Sequence, residues 1–161
     1  RSDSGRIPRE DVYNCQEILS HNNSDKDHAV IKLNRKVSQW SPLRLSQSKI
    51  ELNDSVFTIG YPSGLPVKLA LGGKVVELGL SQLKSNLDTF AGNSGSPVFN
   101  RETNEVIGLL VKWQTDYIFD VSQGCFRVNR CPERIGGVDC NGESVTLINA
   151  LNLKEILQKA K

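Results

Sequence analysis

The sequence predicts an all-β body, a sandwich or a barrel of antiparallel strands, that carries one helix at its C-terminal end. Three observations predict it. Short runs rich in Val, Ile, Leu, Phe and Thr recur along the chain. Turn signals separate these runs at short intervals. Helical periodicity is confined to the end of the chain.

Taken in order, Val30 to Leu33 follows the turn signal Asn22-Asn23-Ser24-Asp25. Ser55 to Gly60 lies between Asn53-Asp54 and Tyr61-Pro62-Ser63-Gly64, and it is rich in β-formers and too short for a stable helix. Val67 to Leu71 and Lys74 to Leu78 read as two strands parted by Gly72-Gly73. Pro97 to Asn100 leaves the turn Gly92-Asn93-Ser94-Gly95, Val106 to Lys112 follows the polar stretch from Asn100 to Asn104, and Ser144 to Ile148 follows Asn141-Gly142. Leu147, Ile148, Leu151, Ile156 and Leu157 fall near helical spacing, with Lys154, Gln158 and Lys161 on the other face, so an amphipathic helix is expected to pack on the β-body. No internal repeat is present, which removes solenoids and propellers.

At 161 residues the chain is one domain or slightly more. A fold of that size buries roughly 70% of its unfolded surface and needs no metal to form. With 38% hydrophobic and 24% charged residues, it is neither disordered nor fibrous. The 20 Lys+Arg are scattered against 18 Asp+Glu, a net charge of +2, which argues against a nucleic-acid partner. No apolar run approaches the ~18 residues of a membrane span. The four cysteines, Cys15, Cys125, Cys131 and Cys140, lack the Cys-x-x-Cys spacing of zinc and redox sites, so disulfides are expected, with three pairings open. That expectation implies an oxidising compartment, extracellular or periplasmic. Cys125 to Cys140 reads as a disulfide-stapled polar surface loop.

The most informative stretch is Asp88-Thr89-Phe90-Ala91-Gly92-Asn93-Ser94-Gly95-Ser96-Pro97. Glycine on both sides of a serine permits a sharp turn and lets a substrate carbonyl approach peptide N–H groups with no side chain in the way. It is not a Gly-x-Ser-x-Gly elbow, because Ser96 stands where the second Gly would be and no helix pattern follows. Upstream, Asp27-His28-Ala29-Val30-Ile31-Lys32-Leu33 sets an acid directly before an apolar strand, where a carboxylate can be fixed and aimed at an imidazole.

Together, in this order and spacing, the two segments resemble the trypsin/chymotrypsin-like serine peptidases, in particular the bacterial branch whose nucleophile motif reads Gly-Asn-Ser-Gly-Ser-Pro. The resemblance runs from about Val12 to the end. It implies an antiparallel double-barrel fold, of which this chain holds the second barrel and the closing strands of the first, with a C-terminal helix. Residues 1–40 would then be the end of the first barrel and the link, with Pro42-Leu43-Arg44-Leu45 similar to the inter-barrel connection, and residues 41–161 the second barrel. It implies Ser94 as nucleophile, the N–H groups of Gly92 and Ser94 as oxyanion hole, and Asp27, rather than the turn acid Asp25, as the orienter of the histidine. It further implies that Asp88 and Thr89, with Lys112 and Trp113 at the end of the next strand, meet the substrate. No metal or organic cofactor is implied.

The resemblance also has departures. His21 sits in a polar turn and His28 is adjacent to Asp27, and neighbours on a strand point to opposite faces, so neither suits the general base. The histidine is expected outside this chain, which opens on Arg1 and contains no Met. The expected function is therefore the C-terminal chain or fragment of a secreted serine endopeptidase, nearly inactive alone. Its partners would be a polypeptide substrate and an N-terminal segment of the same precursor that supplies the histidine. Asn93 replaces the aspartate that pairs with the new N-terminus in animal digestive members, so activation by N-terminal insertion is not expected. Asp88 suggests cleavage after basic residues, and Leu110 stands where glutamate-specific members have a histidine. The alternative is an inactive homologue that uses the barrel for binding or adhesion.

Overall fold

The computed structural model describes residues 7–112, 115–132, 135–136 and 140–158. Among them the strands β1 (Cys15–Asn22), β2 (His28–Leu33), β3 (Ser55–Gly60), β4 (Lys68–Leu78), β5 (Gln82–Ser85), β6 (Pro97–Asn100), β7 (Val106–Lys112), β8 (Tyr117–Asp120), β9 (Cys125–Val128) and β10 (Glu143–Leu147) precede helix α1 (Leu153–Gln158). Six strands close a barrel in the order β10-β5-β4-β3-β6-β7, while β1-β2 and β8-β9 are separate two-stranded sheets. Every pairing in the barrel is antiparallel. The all-β fold with a C-terminal helix is therefore as expected, and closure decides for a barrel over a sandwich.

Period-two alternation puts one face of each strand inside. On β3, Val56, Thr58 and Gly60 are buried while their neighbours are not. Val56, Val75, Leu83, Leu87, Val98, Ile107, Leu110 and Val145 form one contiguous core. The buried Thr58 hydroxyl is satisfied by donating to the Pro97 carbonyl at 2.8 Å, which also ties β3 to the start of β6.

Three expectations are corrected. The two expected strands, Val67 to Leu71 and Lys74 to Leu78, are replaced by the single β4 from Lys68 to Leu78, because Gly72-Gly73 sits in a β-bulge instead of a reversal. The register passes from Val56↔Gly73 to Thr58↔Ala70, and beyond the bulge β4 changes partner from β3 to β5. The helix is shorter than its pattern suggests, since Leu147 ends β10. Ile148 belongs to a 3-10 turn, Ile148–Ala150, that Leu151 follows. α1 begins only at Leu153, where Ile156 N–H donates to the Asn152 carbonyl at 3.0 Å. Lys161 lies outside the described residues. Finally, the expected cysteine-rich loop contains strands: β8 and β9 pair from Tyr117↔Val128 to Asp120↔Cys125. Cys131 and Cys140 form a disulfide, and Cys15 and Cys125 are exposed and unpaired.

The β1-β2 sheet lies across from the C-terminal segment. Ser20, Lys26 and His28 face Leu151, Asn152 and Glu155 across a cavity of about 220 Å³, and the Ser81 hydroxyl donates to the Asp25 carbonyl at 3.2 Å. Ile18 and Ile31, opposite each other in the ladder, stay 60% and 46% exposed. An isolated two-stranded sheet is marginal in water, and this one keeps apolar side chains uncovered.

Candidate functional site

Ser94 is exposed on the loop that joins the Asp88–Phe90 segment to β6, and β7 holds the end of that loop nearest β6. Gly95 N–H donates to the Leu110 carbonyl at 2.7 Å, and Leu110 N–H returns to the Ser96 carbonyl at 3.0 Å. Inside the loop, Asn93 N–H donates to Phe90 at 3.1 Å and Ser96 N–H to Asn93 at 2.9 Å. Among the described residues the N–H groups of Gly92 and Ser94 have no internal acceptor. Two unpaired donors beside an exposed hydroxyl can receive an oxyanion.

Two glycines are required here. Gly92 has φ +101°, and a Cβ would lie 2.9 Å from the Tyr61 carbonyl oxygen and 3.2 Å from the Ser63 nitrogen. Gly60 packs against Asn93, so that a Cβ there would collide with the Asn93 side-chain oxygen. Asn93 itself is 4% exposed, and its Oδ1 has no hydrogen-bond partner among the described residues.

Asp88 is exposed and lines a cleft of about 560 Å³ with Lys68, Leu69, Phe90, Asn93 and Tyr117. Thr89 is turned inward, 3% exposed, with its hydroxyl unpaired among the described residues. Lys112 ends β7 opposite Ser144, and Trp113 lies outside the described residues. Leu110 is a core residue, 2% exposed.

Asp27 is half-buried in the turn that enters β2 and makes no side-chain hydrogen bond among the described residues. No hydrogen bond joins it to Ser94. Both ring nitrogens of His28 are occupied, one by the Ser20 hydroxyl at 3.0 Å and the other by the Lys26 carbonyl. His21 is exposed on β1 opposite Ala29. The structure thus brings neither histidine to the serine loop by a hydrogen bond.

The sequence reading passed over Ser63, Asp116 and Tyr117. Ser63 N–H donates to the Ala91 carbonyl at 2.6 Å, and Ala91 N–H donates to the Asp116 carboxylate at 2.6 Å. Tyr117 meets Ser63 hydroxyl to hydroxyl at 3.2 Å and packs on Phe90 at 5.7 Å between ring centroids. Burial pushes the Asp116 carboxyl up, the Ala91 N–H draws it back, and Asp88 raises it further. Only the turn signal at Tyr61 to Gly64 hinted at any of this, and Asp116 has no local signal at all.

A closed barrel, a glycine-flanked serine and two free amides thus come together in this chain. The chain belongs to the family of the trypsin-like peptidase domain, whose model matches residues 3–109. It is similar to the glutamyl endopeptidase of Staphylococcus epidermidis, 41% identical over 66 residues that cover 40% of this chain and 23% of that protein. It is also similar to the glutamyl endopeptidase of Staphylococcus aureus strain MW2, 39% identical over 66 residues that cover 40% of this chain and 20% of that protein. The match therefore spans less than a quarter of these curated relatives. Among solved structures, the active form of the Rv3671c protease from M. tuberculosis aligns with TM-score 0.59 and 16% identity over 88% of this chain and 56% of that chain. Its inactive form aligns with TM-score 0.57 and 15% identity over 91% of this chain and 66% of that chain. At such identities the likeness shows the fold.

Proposed function

We propose that this chain is the nucleophile-bearing C-terminal portion of a secreted or periplasmic serine endopeptidase. In that reading Ser94 Oγ attacks the scissile carbonyl, a histidine on another part of the precursor takes the proton, Asp27 orients that histidine, and the Gly92 and Ser94 N–H groups receive the oxyanion. The observation that carries the reading is the pair of unpaired amides flanking an exposed serine on a loop tied at both ends. Residues 1–40 would belong to the first barrel and residues 41–161 to the second. The exposed Ile18–Ile31 pair on an isolated hairpin supports a first barrel completed by strands from the N-terminal segment. The Cys131–Cys140 disulfide supports an oxidising compartment.

For substrate we propose a polypeptide with a basic side chain in the cleft beside Asp88, near Thr89, Lys112 and Trp113. Asp88, exposed in that cleft beside Lys68, is the carboxylate offered to a basic side chain. For the glutamyl preference named for the relatives, Lys68 is a cation that this cleft holds, while Leu110 is an apolar core side chain and adds none.

The test is hydrolysis of a fluorogenic casein by the protein isolated with whatever polypeptide accompanies it. The proposal expects cleavage that Ser94→Ala lowers by about 10⁶-fold, the order lost when a triad member is removed. Cleavage untouched by Ser94→Ala would overturn it. A second reading, an inactive homologue that binds or adheres, is favoured by one observation: the ring nitrogens of His28 are both engaged away from Ser94. That reading expects no cleavage even with the N-terminal segment present.

A further inference from the structure

We infer that Asp116, carried at the base of the β8-β9 hairpin, is a positioning residue for the oxyanion hole. It fixes the Ala91 backbone so that the Gly92 N–H faces the reacting carbonyl. The inference rests on the reading of Ser94 as nucleophile and adds a part to it.

A trans peptide is planar, and its C=O and N–H point in opposite directions, so whatever fixes the Ala91 carbonyl also aims the Gly92 N–H. The Ala91 carbonyl accepts the Ser63 N–H at 2.6 Å, which directs the Gly92 N–H away from Ser63. Gly92, at φ +101°, is the residue type for which rotation of that peptide costs least, so the loop needs an external anchor. Asp116 supplies it from the N-terminal side of Ala91 at 2.6 Å. The two anchors are coupled, because Tyr117, the next residue, reaches the Ser63 hydroxyl at 3.2 Å. Asp116 is in turn held in the hairpin, where its carbonyl accepts the Asn129 N–H at 2.8 Å.

Asp116 is also expensive to keep. It is 9% exposed, and its Oδ1 has no hydrogen-bond partner among the described residues. A buried carboxylate that accepts from one backbone amide, among the described residues, is poor design for stability alone. It is good design for holding one peptide, since a hydrogen bond to a charged acceptor is short and directional.

The test compares wild type, Asp116→Ala and Asp116→Asn in the protein isolated with its accompanying polypeptide, by two readouts. The first is amide hydrogen exchange at Ala91. The second is the rate at which a fluorophosphonate modifies Ser94, a step in which an O–P bond forms, the P–F bond breaks, fluoride leaves and the hydroxyl proton passes to the histidine. Asp116→Ala should speed exchange at Ala91 and slow labelling by about ten- to a hundredfold, what one charge-assisted hydrogen bond is worth. Probe affinity at saturation should change little, and Asp116→Asn, which keeps an acceptor oxygen, should recover part of the rate. Equal labelling rates in wild type and Asp116→Ala would overturn the inference, as would unchanged exchange at Ala91. If Asp116→Ala does not fold, Asp116→Asn carries both comparisons. An unlabelled wild type would defeat the nucleophile reading instead, and the exchange measurement would then decide the Ala91 anchor alone.

Discussion

Gly95 and Leu110 are joined by a 2.7 Å hydrogen bond from the glycine N–H to the leucine carbonyl, so the serine loop is stitched to a core strand one residue from Ser94. The same leucine is 2% exposed in the barrel core. Core packing and loop geometry are thus linked through one residue. Leu110→Ala should cost about 2–5 kcal/mol of unfolding free energy, the range for a truncated buried leucine. Urea titration checks this, and a change below about 1 kcal/mol would mean the barrel repacks around the gap.

Gly92→Ala should destabilise by about 1–3 kcal/mol, because the added methyl meets two backbone atoms at a positive φ. The same change should abolish labelling of Ser94, since relief of the clash has to move the peptide that carries an oxyanion donor. Melting temperature and labelling, measured on one preparation, check both effects.

The hairpin carries two aspartates of opposite pH sign. Asp120 is held below the ordinary aspartate value by the Ser122 hydroxyl and then by Arg127, so its contribution to stability is full above that value and is lost as pH falls through the lowered pKa. Asp116 is raised, first by burial, so its contribution favours the folded state at low pH and is lost as pH rises through the raised pKa. Relative to wild type, Asp120→Asn should therefore be least stable near neutrality and converge with it in acid, while Asp116→Asn should gain on wild type as pH rises from about 3 to 7. Denaturant midpoints across that range check the two slopes.

Cys131 and Cys140 close a short ring, with a sequence separation of 9. Replacing both with serine should cost about 2–3 kcal/mol by the loop-entropy relation, confined to the insert, with the barrel signature in far-UV circular dichroism retained. Loss of the barrel spectrum would show that the disulfide supports more than its own loop.

What was legible in the sequence was what is local. β3 and β6 begin and end at the residues their turn signals mark, because each lies between loops rich in Gly, Asn or Pro, and β7 begins where the Asn100 to Asn104 signal ends. The serine loop was legible for the same reason, since its glycines and its nucleophile are contiguous. β5 was hidden because Gln82, Lys84 and Ser85 disguise a strand whose inward residues are Leu83 and Ser85. At Gly72-Gly73 the same dipeptide serves a turn or a bulge, and only the change of partner from β3 to β5 decides between them. Asp116 was invisible because its carboxylate accepts from Ala91 N–H across 25 positions, a contact that no local pattern reports.

The most direct test of the central claim is to treat the purified protein with a fluorophosphonate and locate the adduct by peptide mass spectrometry, after an intact mass under denaturing, non-reducing conditions has identified any accompanying polypeptide. A single adduct at Ser94, formed only when a second, histidine-bearing polypeptide is present, is the predicted result. An assembled protein that leaves Ser94 unmodified, or one labelled at another serine, would contradict it.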